Sequence, residues 1–244
     1  MDNNCQAFDS RELINDQDWK AVECQFSNTH PYNYAIVDNF LTSHAWSELR
    51  ANLVNNKAWE LLNVQGDQRV LFIRDFRHPF AESIAAFLVV RLPGILGGLS
   101  PVECRAFMSR QNEGLEIHSD NGAVTLNIYL TPEEFNLKPN SGGLLLYDVK
   151  RTKDQAIHEF NSQPWATKYF EKNTRGAKRR IGYAFNRAVI FDAKTFHAAE
   201  SMCFTGESVG SHRLNLALRF DNPEKFHERF ERYIEAGAVP ETAA

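Results

Sequence analysis

The chain predicts a mainly β protein with supporting helices, its core a jelly roll. Three observations carry this. From about residue 102 to 220, short segments rich in β-branched and aromatic residues alternate with turn residues. Helical periodicity falls before and after that region. The length, 244 residues, suits one large β domain with helical additions. We therefore expect one domain over 1–244, with helical and strand support over about 1–101, the jelly-roll core over about 102–220 and a C-terminal helix over about 222–237.

Residues 1–33 are polar and read as irregular. Ala35 to Leu41 reads as a short strand ending in a turn, after which Thr42 or Ser43 can cap a helix with Trp46, Leu49 and Leu53 at helical spacing. Arg69 to Ile73 is a strand pattern. Pro79 suits the first turn of a helix carrying Phe80, Ile84, Phe87 and Leu88, which Leu92-Pro93-Gly94 ends. Core strands are expected at 102–109, 115–120, 123–130, 143–149, 180–185, 187–192, 196–202 and 212–220. Thr131-Pro132-Glu133-Glu134 and Lys138 to Gly143 carry turn chemistry. The charged stretch 151–179, with Trp165, Tyr169 and Phe170 near its centre, is long enough for a lid over a site or a surface insertion. Asn222-Pro223-Glu224 starts a helix with a stripe of Phe226, Phe230 and Ile234, closed by Gly237.

Composition narrows the partners. The formal net charge of −4 gives no general basic field for a polyanion, which argues against nucleic acid and for a small-molecule or protein partner. Cys5, Cys24, Cys104 and Cys203 are scattered, without a zinc-knuckle pair, and the polar start is no signal peptide. Reduced thiols in the cytoplasm follow as the expectation. With no run of about 18 apolar residues, no membrane span is expected. Oligomeric state is not written in these features.

Chemistry concentrates between Gly114 and Phe220. On a strand, His118 and Asp120 project to one face, and His197 can complete a two-histidine, one-carboxylate set of the kind that leaves positions open on Fe(II). His-x-Asp alone is a short pattern that chance supplies, and a strand histidine is commonly just a hydrogen-bonded side chain. Cysteines beside the histidines would have suggested a closed zinc site, and there are none. Along 212–220, Leu214, Leu216, Leu218 and Phe220 fall on one face, and Arg213, Asn215, Ala217 and Arg219 on the other. A half-buried strand with solvated arginines fits that alternation too. If instead the polar face lines the interior, a buried guanidinium needs a carboxylate, and a bound dicarboxylate would supply one through a planar fork.

His118-x-Asp120, His197 and Arg213, in this order on β-rich segments, resemble the Fe(II)- and 2-oxoglutarate-dependent oxygenases of the double-stranded β-helix fold over roughly residues 34–220. The resemblance implies His118, Asp120 and His197 as iron ligands and as the catalytic set. It implies Arg213 as the anchor for the distal carboxylate of 2-oxoglutarate, with Arg219 the alternative because the step from His197 to Arg213 is long. It further implies O2 as the other cosubstrate, with succinate and CO2 as coproducts. A carboxylate at Asp120, in place of Gly or Ala, favours hydroxylation over halogenation. Asn127 and Gln111 are candidates to face the cosubstrate, each balanced by a plain structural role. Arg74, or Arg219, is a candidate to bind an acidic group on the substrate, and Trp165 to cover it. A small polar metabolite is the leading substrate class. The pair Arg213 and Arg219 with His118-Ser119-Asp120 also resembles the AlkB-type nucleic-acid demethylases, and protein hydroxylation stays open. A noncatalytic jelly-roll binding module is the alternative from another class.

Overall fold

In a computed structural model, which describes residues 12–63, 69–109, 114–153 and 155–235, the alternating segment near the end of the core is strand β10 (Arg213–Asp221). It lies at the centre of a seven-stranded antiparallel sheet. The order is β1 (Tyr34–Val37), β8 (Ala188–Asp192), β5 (Val124–Tyr129), β10, β4 (Ser100–Ser109), β3 (Arg69–Ile73) and β2 (Glu60–Asn63). A second antiparallel sheet has the order β7 (Lys178–Ile181), β6 (Leu144–Lys150), β9 (Thr195–Ala199).

The two faces of β10 have different fates. Leu214, Leu216, Leu218 and Phe220 join Leu126 and Ile128 of β5 in a core closed by helices α1 (Trp19–Asn28), α2 (Ser43–Asn55) and α3 (Pro79–Arg91). Burying each such side chain contributes about 1.5–3 kcal/mol, so this helical layer fixes which side of the sheet faces inward. On the other side Tyr129, Val189 and Phe191 of the large sheet pack with Leu144, Leu146 and Ile181 of the small one. The space between the sheets is therefore filled at one side and leaves a cavity at the other.

Local signals explain the helices. The Thr42 hydroxyl accepts from Ala45 N at 3.2 Å and caps α2, while Pro79 opens α3. A short helix α4 (Pro93–Leu96) follows directly. The C-terminal helix is α7 (Pro223–Glu235), with Phe226 buried; the side chains of Phe230 and Ile234, and Gly237, lie outside the described residues, as do Cys5 and Gln111. Cys24, Cys104 and Cys203 are free thiols. Among the described residues no helix is long and apolar enough to cross a membrane.

Several expectations are corrected. The segment before residue 33 contains α1, capped by Asp18; only Val22 of this helix is buried, so its apolar signal is thin. Glu60–Asn63 adds β2, at the edge of the sheet. The expected strand 115–120 is an irregular segment joined to the sheets by a single bridge, His118 to His197. The expected strand 180–185 becomes β7, which ends at Ile181; Asn186 then turns the chain at φ +55°. The stretch 151–179 is not an open loop: it forms α5 (Ile157–Asn161) and α6 (Trp165–Asn173). Their Ile157, Phe160 and Ala166 pack on Val149 and Phe196 of the small sheet.

Candidate metal centre

The bridge that replaces the expected strand brings the ligands together. His118 N donates to His197 O at 2.9 Å, and His197 N donates back to His118 O at 2.7 Å. This sets the two rings side by side, with centroids 4.4 Å apart. Asp120 N donates to Ala193 O at 3.0 Å, which turns its carboxylate to the same point. His118 Nε2 lies 3.9 Å from Asp120 Oδ1, and His197 Nε2 lies 3.7 Å from Asp120 Oδ2. One ligand atom from each residue falls within 4.8 Å of the other two.

The outer nitrogen of each histidine is already committed. His118 Nδ1 is 2.6 Å from Glu116 O, and His197 Nδ1 is 2.9 Å from Thr195 O. A carbonyl can only accept, so each Nδ1 carries the proton and each Nε2 presents its lone pair to the cluster. Two imidazole lone pairs and a carboxylate, with no thiolate, suit Fe(II) and leave coordination positions open. The donor set therefore fits the metal that the motif implied.

Charge around the cluster is arranged to keep the carboxylate ionised. Burial alone would raise the Asp120 carboxyl, but the Arg219 guanidinium, then His197, His118 and the Thr125 hydroxyl, hold it well below the usual carboxylate range. Arg219 Nη2 donates to Asp120 Oδ1 at 2.5 Å, and Thr125 Oγ1 donates to Oδ2 at 2.8 Å. The other arm of Arg219 pairs with Glu103, which in turn takes Arg105 at 2.5 Å. Burial lowers His118 to about 4, with the charge of His197 adding to the effect and Asp120 opposing it; burial likewise lowers His197. Both rings are neutral at pH 7.

A pH dependence follows. Below the ordinary histidine value of about 6.5, the unfolded chain takes up protons that the folded one refuses. This stability is thus present in full above that value and lost as pH falls towards the folded one. We expect the metal-free protein to lose about 1.4 kcal/mol per pH unit through His118 across this window. The Asp120 carboxyl is shifted in the same direction, so its contribution is likewise lost as pH falls, but only once pH drops into the ordinary carboxylate range. Thermal unfolding at pH 7, 6 and 5 checks this; a flat midpoint would contradict it.

The cavity beside the cluster, about 500 Å³ counted to its open mouth, is lined by His118, Asp120 and His197 and by the whole polar face of β10, Arg213 to Arg219. Val70, Phe107 and Leu115 give it an apolar wall, and Asn127 also lines it. Arg213 is 5% exposed, which is low enough to require partners. Its Nε donates to Gly142 O at 2.5 Å, its Nη1 donates to Asn215 Oδ1 at 2.8 Å, and its guanidinium lies 4.9 Å from the Tyr129 ring centre. Among the described residues no carboxylate pairs with it. Gly142 can offer that carbonyl because it turns at φ +79°, where a Cβ would also lie 2.9 Å from Met202 Cβ.

The expected residues divide accordingly. His118, Asp120, His197, Asn127, Arg213 and Arg219 meet at one cavity. Arg219 is engaged by Asp120 and Glu103, so it differs from Arg213 in having its acids supplied by the protein. Arg74 is exposed, with its guanidinium over the Phe72 ring, and Trp165 is 45% exposed on α6; neither lines the cavity. Residues missed in the sequence include Thr125, Glu103 and Tyr129, whose ring lies under the Arg213 guanidinium. Thr125 and Tyr129 share a strand face with Asn127, so the alternation that singled out Asn127 could have found them; nothing local marks Glu103.

Facing antiparallel sheets with a cavity at one side give the chain the fold seen in solved structures of 2-oxoglutarate- and Fe(II)-dependent oxygenases, and its His-x-Asp and distant histidine meet at that cavity. The chain is similar to a 2OG-Fe(II) oxygenase family oxidoreductase from Burkholderia pseudomallei, at 10% identity and TM-score 0.56, over 86% of this chain and 93% of that one. It is similar to the epimerase SnoN of nogalamycin biosynthesis, in complex with Fe3+, α-ketoglutarate and nogalamycin RO, at 11% identity and TM-score 0.61, over 84% and 83%. HygX from Streptomyces hygroscopicus, with nickel, 2-oxoglutarate and hygromycin B bound, matches at 11% identity and TM-score 0.55, over 81% and 85%. No family model and no curated protein matches the chain.

Proposed function

We propose that the chain is an Fe(II)- and 2-oxoglutarate-dependent dioxygenase that hydroxylates a small polar metabolite, such as an amino acid or natural-product intermediate. His118, Asp120 and His197 hold the metal through Nε2, a carboxylate oxygen and Nε2, with the proton on each Nδ1 kept by Glu116 and Thr195 carbonyls. The observation that carries the proposal is Arg213: a buried guanidinium with two neutral acceptors and no acid among the described residues, in the same cavity as the ligand cluster. It is suited to the distal carboxylate of 2-oxoglutarate, and the Tyr129 ring packs against it. Arg219, already neutralised by Asp120 and Glu103, supports the metal carboxylate instead of the cosubstrate. Asn127 completes the polar lining.

Iron with 2-oxoglutarate and O2 supplies the oxidising power for attack on a C–H bond, with succinate and CO2 as coproducts. The chain's own contribution is placement. Val70, Phe107 and Leu115 keep the site short of water on one wall, and the polar face of β10 orients the cosubstrate on another. The metabolite class is supported by size, by acidity and by the small natural products named in the complexes of SnoN and HygX. Free thiols and the absence of a spanning helix among the described residues support a cytoplasmic site of action.

The first test is the anaerobic addition of Fe(II) and 2-oxoglutarate, which should give the visible charge-transfer band of the chelate. A folded protein without the band would overturn the proposal. Succinate release across amino acids and natural-product intermediates, with mass change recorded, then names the substrate. Salt-dependent binding to single-stranded DNA would redirect the search to nucleic acid.

A further inference from the structure

We propose that the helical insertion α5–α6, with Arg151 before it, is a clamp that positions the metal-ligand segment, and that Arg151, Asn161 and Gln163 are positioning residues for His118 and Asp120. This rests on the reading of His118, Asp120 and His197 as metal ligands. The starting point is a deficit. Residues 117–122 carry two of the three ligands yet form no strand: His197 takes the N and O of His118 and Ala193 takes Asp120 N, and the carbonyls of Ile117, Ser119, Asp120 and Gly122 need partners from elsewhere.

Those carbonyls are met one by one by the insertion and by Arg151 before it. Gln163 Nε2 donates to Ile117 O at 2.8 Å and Asn161 Nδ2 donates to Ser119 O at 2.8 Å. Arg151 spans the far end, with Nε donating to Asp120 O at 3.2 Å and Nη2 to Gly122 O at 2.7 Å. In the reverse direction Ser119 N donates to Phe160 O at 2.8 Å. The carbonyls of Ile117, Ser119, Asp120 and Gly122, around both ligands, are thus held by Gln163, Asn161 and Arg151.

Arg151 is itself specialised for this. It is 4% exposed, its guanidinium lies 4.7 Å from the Phe160 ring centre, and among the described residues no carboxylate sits within ion-pair distance of it. A buried cation that spends its donors on two carbonyls of a ligand segment is costly. The insertion is anchored in turn by Ile157, Phe160 and Ala166 on Phe196, the neighbour of His197. One apolar cluster therefore sets both the strand bearing His197 and the clamp holding the other two ligands.

The test uses the full-length protein and Co(II) as probe, read by its visible ligand-field absorption without oxygen. Asn161→Ala and Gln163→Ala should each weaken Co(II) binding by about tenfold, the lower end of what outer partners of metal ligands contribute. The exposed-site variant Lys172→Ala should bind as wild type. In the metal-free variants, amide hydrogen exchange should speed up at 117–122 while β10 keeps its protection; a general loss of stability would raise both. Unchanged Co(II) affinity together with unchanged exchange at 117–122 would overturn the clamp. Should Gln163→Ala fail to fold, Asn161→Ala carries the same two readouts. Failure of the wild-type protein to bind Co(II), with exchange at 117–122 still responding in the variants, would count against the metal site and leave the clamp standing.

Discussion

Replacing His197 with alanine is expected to abolish both the anaerobic chelate band and turnover. His197 sits in the middle of β9, buried, with its ring against Phe191 at 4.9 Å between centroids. Its loss leaves a bidentate protein site of one imidazole and one carboxylate, and no other histidine lies in the cavity to replace it among the described residues. The substitution removes a ring from a packed position, so some stability goes with it, about 2–4 kcal/mol by analogy with large-to-small core changes. The backbone bridge to His118 uses N and O of residue 197 and survives the change. Circular dichroism should therefore show a folded protein that no longer binds Fe(II). A variant that retains the band would remove His197 from the ligand set.

The second large effect is expected at Arg213. Arg213→Ala should leave iron binding near wild type while raising the 2-oxoglutarate KM by roughly 10²-fold, the loss of a charge-assisted, two-pronged contact worth about 3 kcal/mol. At saturating 2-oxoglutarate much of the turnover should return, because on the proposed assignment Arg213 holds the far carboxylate and not the metal ligands. Arg219→Ala should behave in the opposite way: it strips Asp120 of its counter-charge and should damage metal binding first. Steady-state kinetics against 2-oxoglutarate, beside Fe(II) titrations, separate the two. An unchanged KM in Arg213→Ala would move the anchor to Arg219.

That pair also marks where the sequence stops being informative. Arg213 and Arg219 occupy equivalent places in one alternating pattern, and nothing local distinguishes them. What does is their acids: Glu103 and Asp120 reach Arg219 from 116 and 99 residues away. The two-faced strand was legible because burial with period two writes itself into β10. Asp120 and His118 were legible as a short motif, although no strand carries them: the bridge to His197 aims His118, and a hydrogen bond to Ala193 aims Asp120. The insertion 151–179 was opaque for a related reason. Its helices are short, and its apolar residues answer to Val149 and Phe196, partners that its own periodicity cannot reveal.

The position of β10 has one more consequence. The strand is hydrogen-bonded to β4 on one side and β5 on the other, and it holds Arg213 and Arg219 on the same face. The spacing between the post proposed for the distal carboxylate and the post behind the metal carboxylate is thus written in covalent bond lengths, with no loop between them to flex. On the proposed assignment the strand is a gauge: a keto acid one carbon shorter or longer than 2-oxoglutarate meets the same fixed interval and cannot be accommodated by relaxation of either end. A one-residue slip in this strand would turn both arginines out of the cavity at once, so cosubstrate choice and metal support stand or fall on a single register.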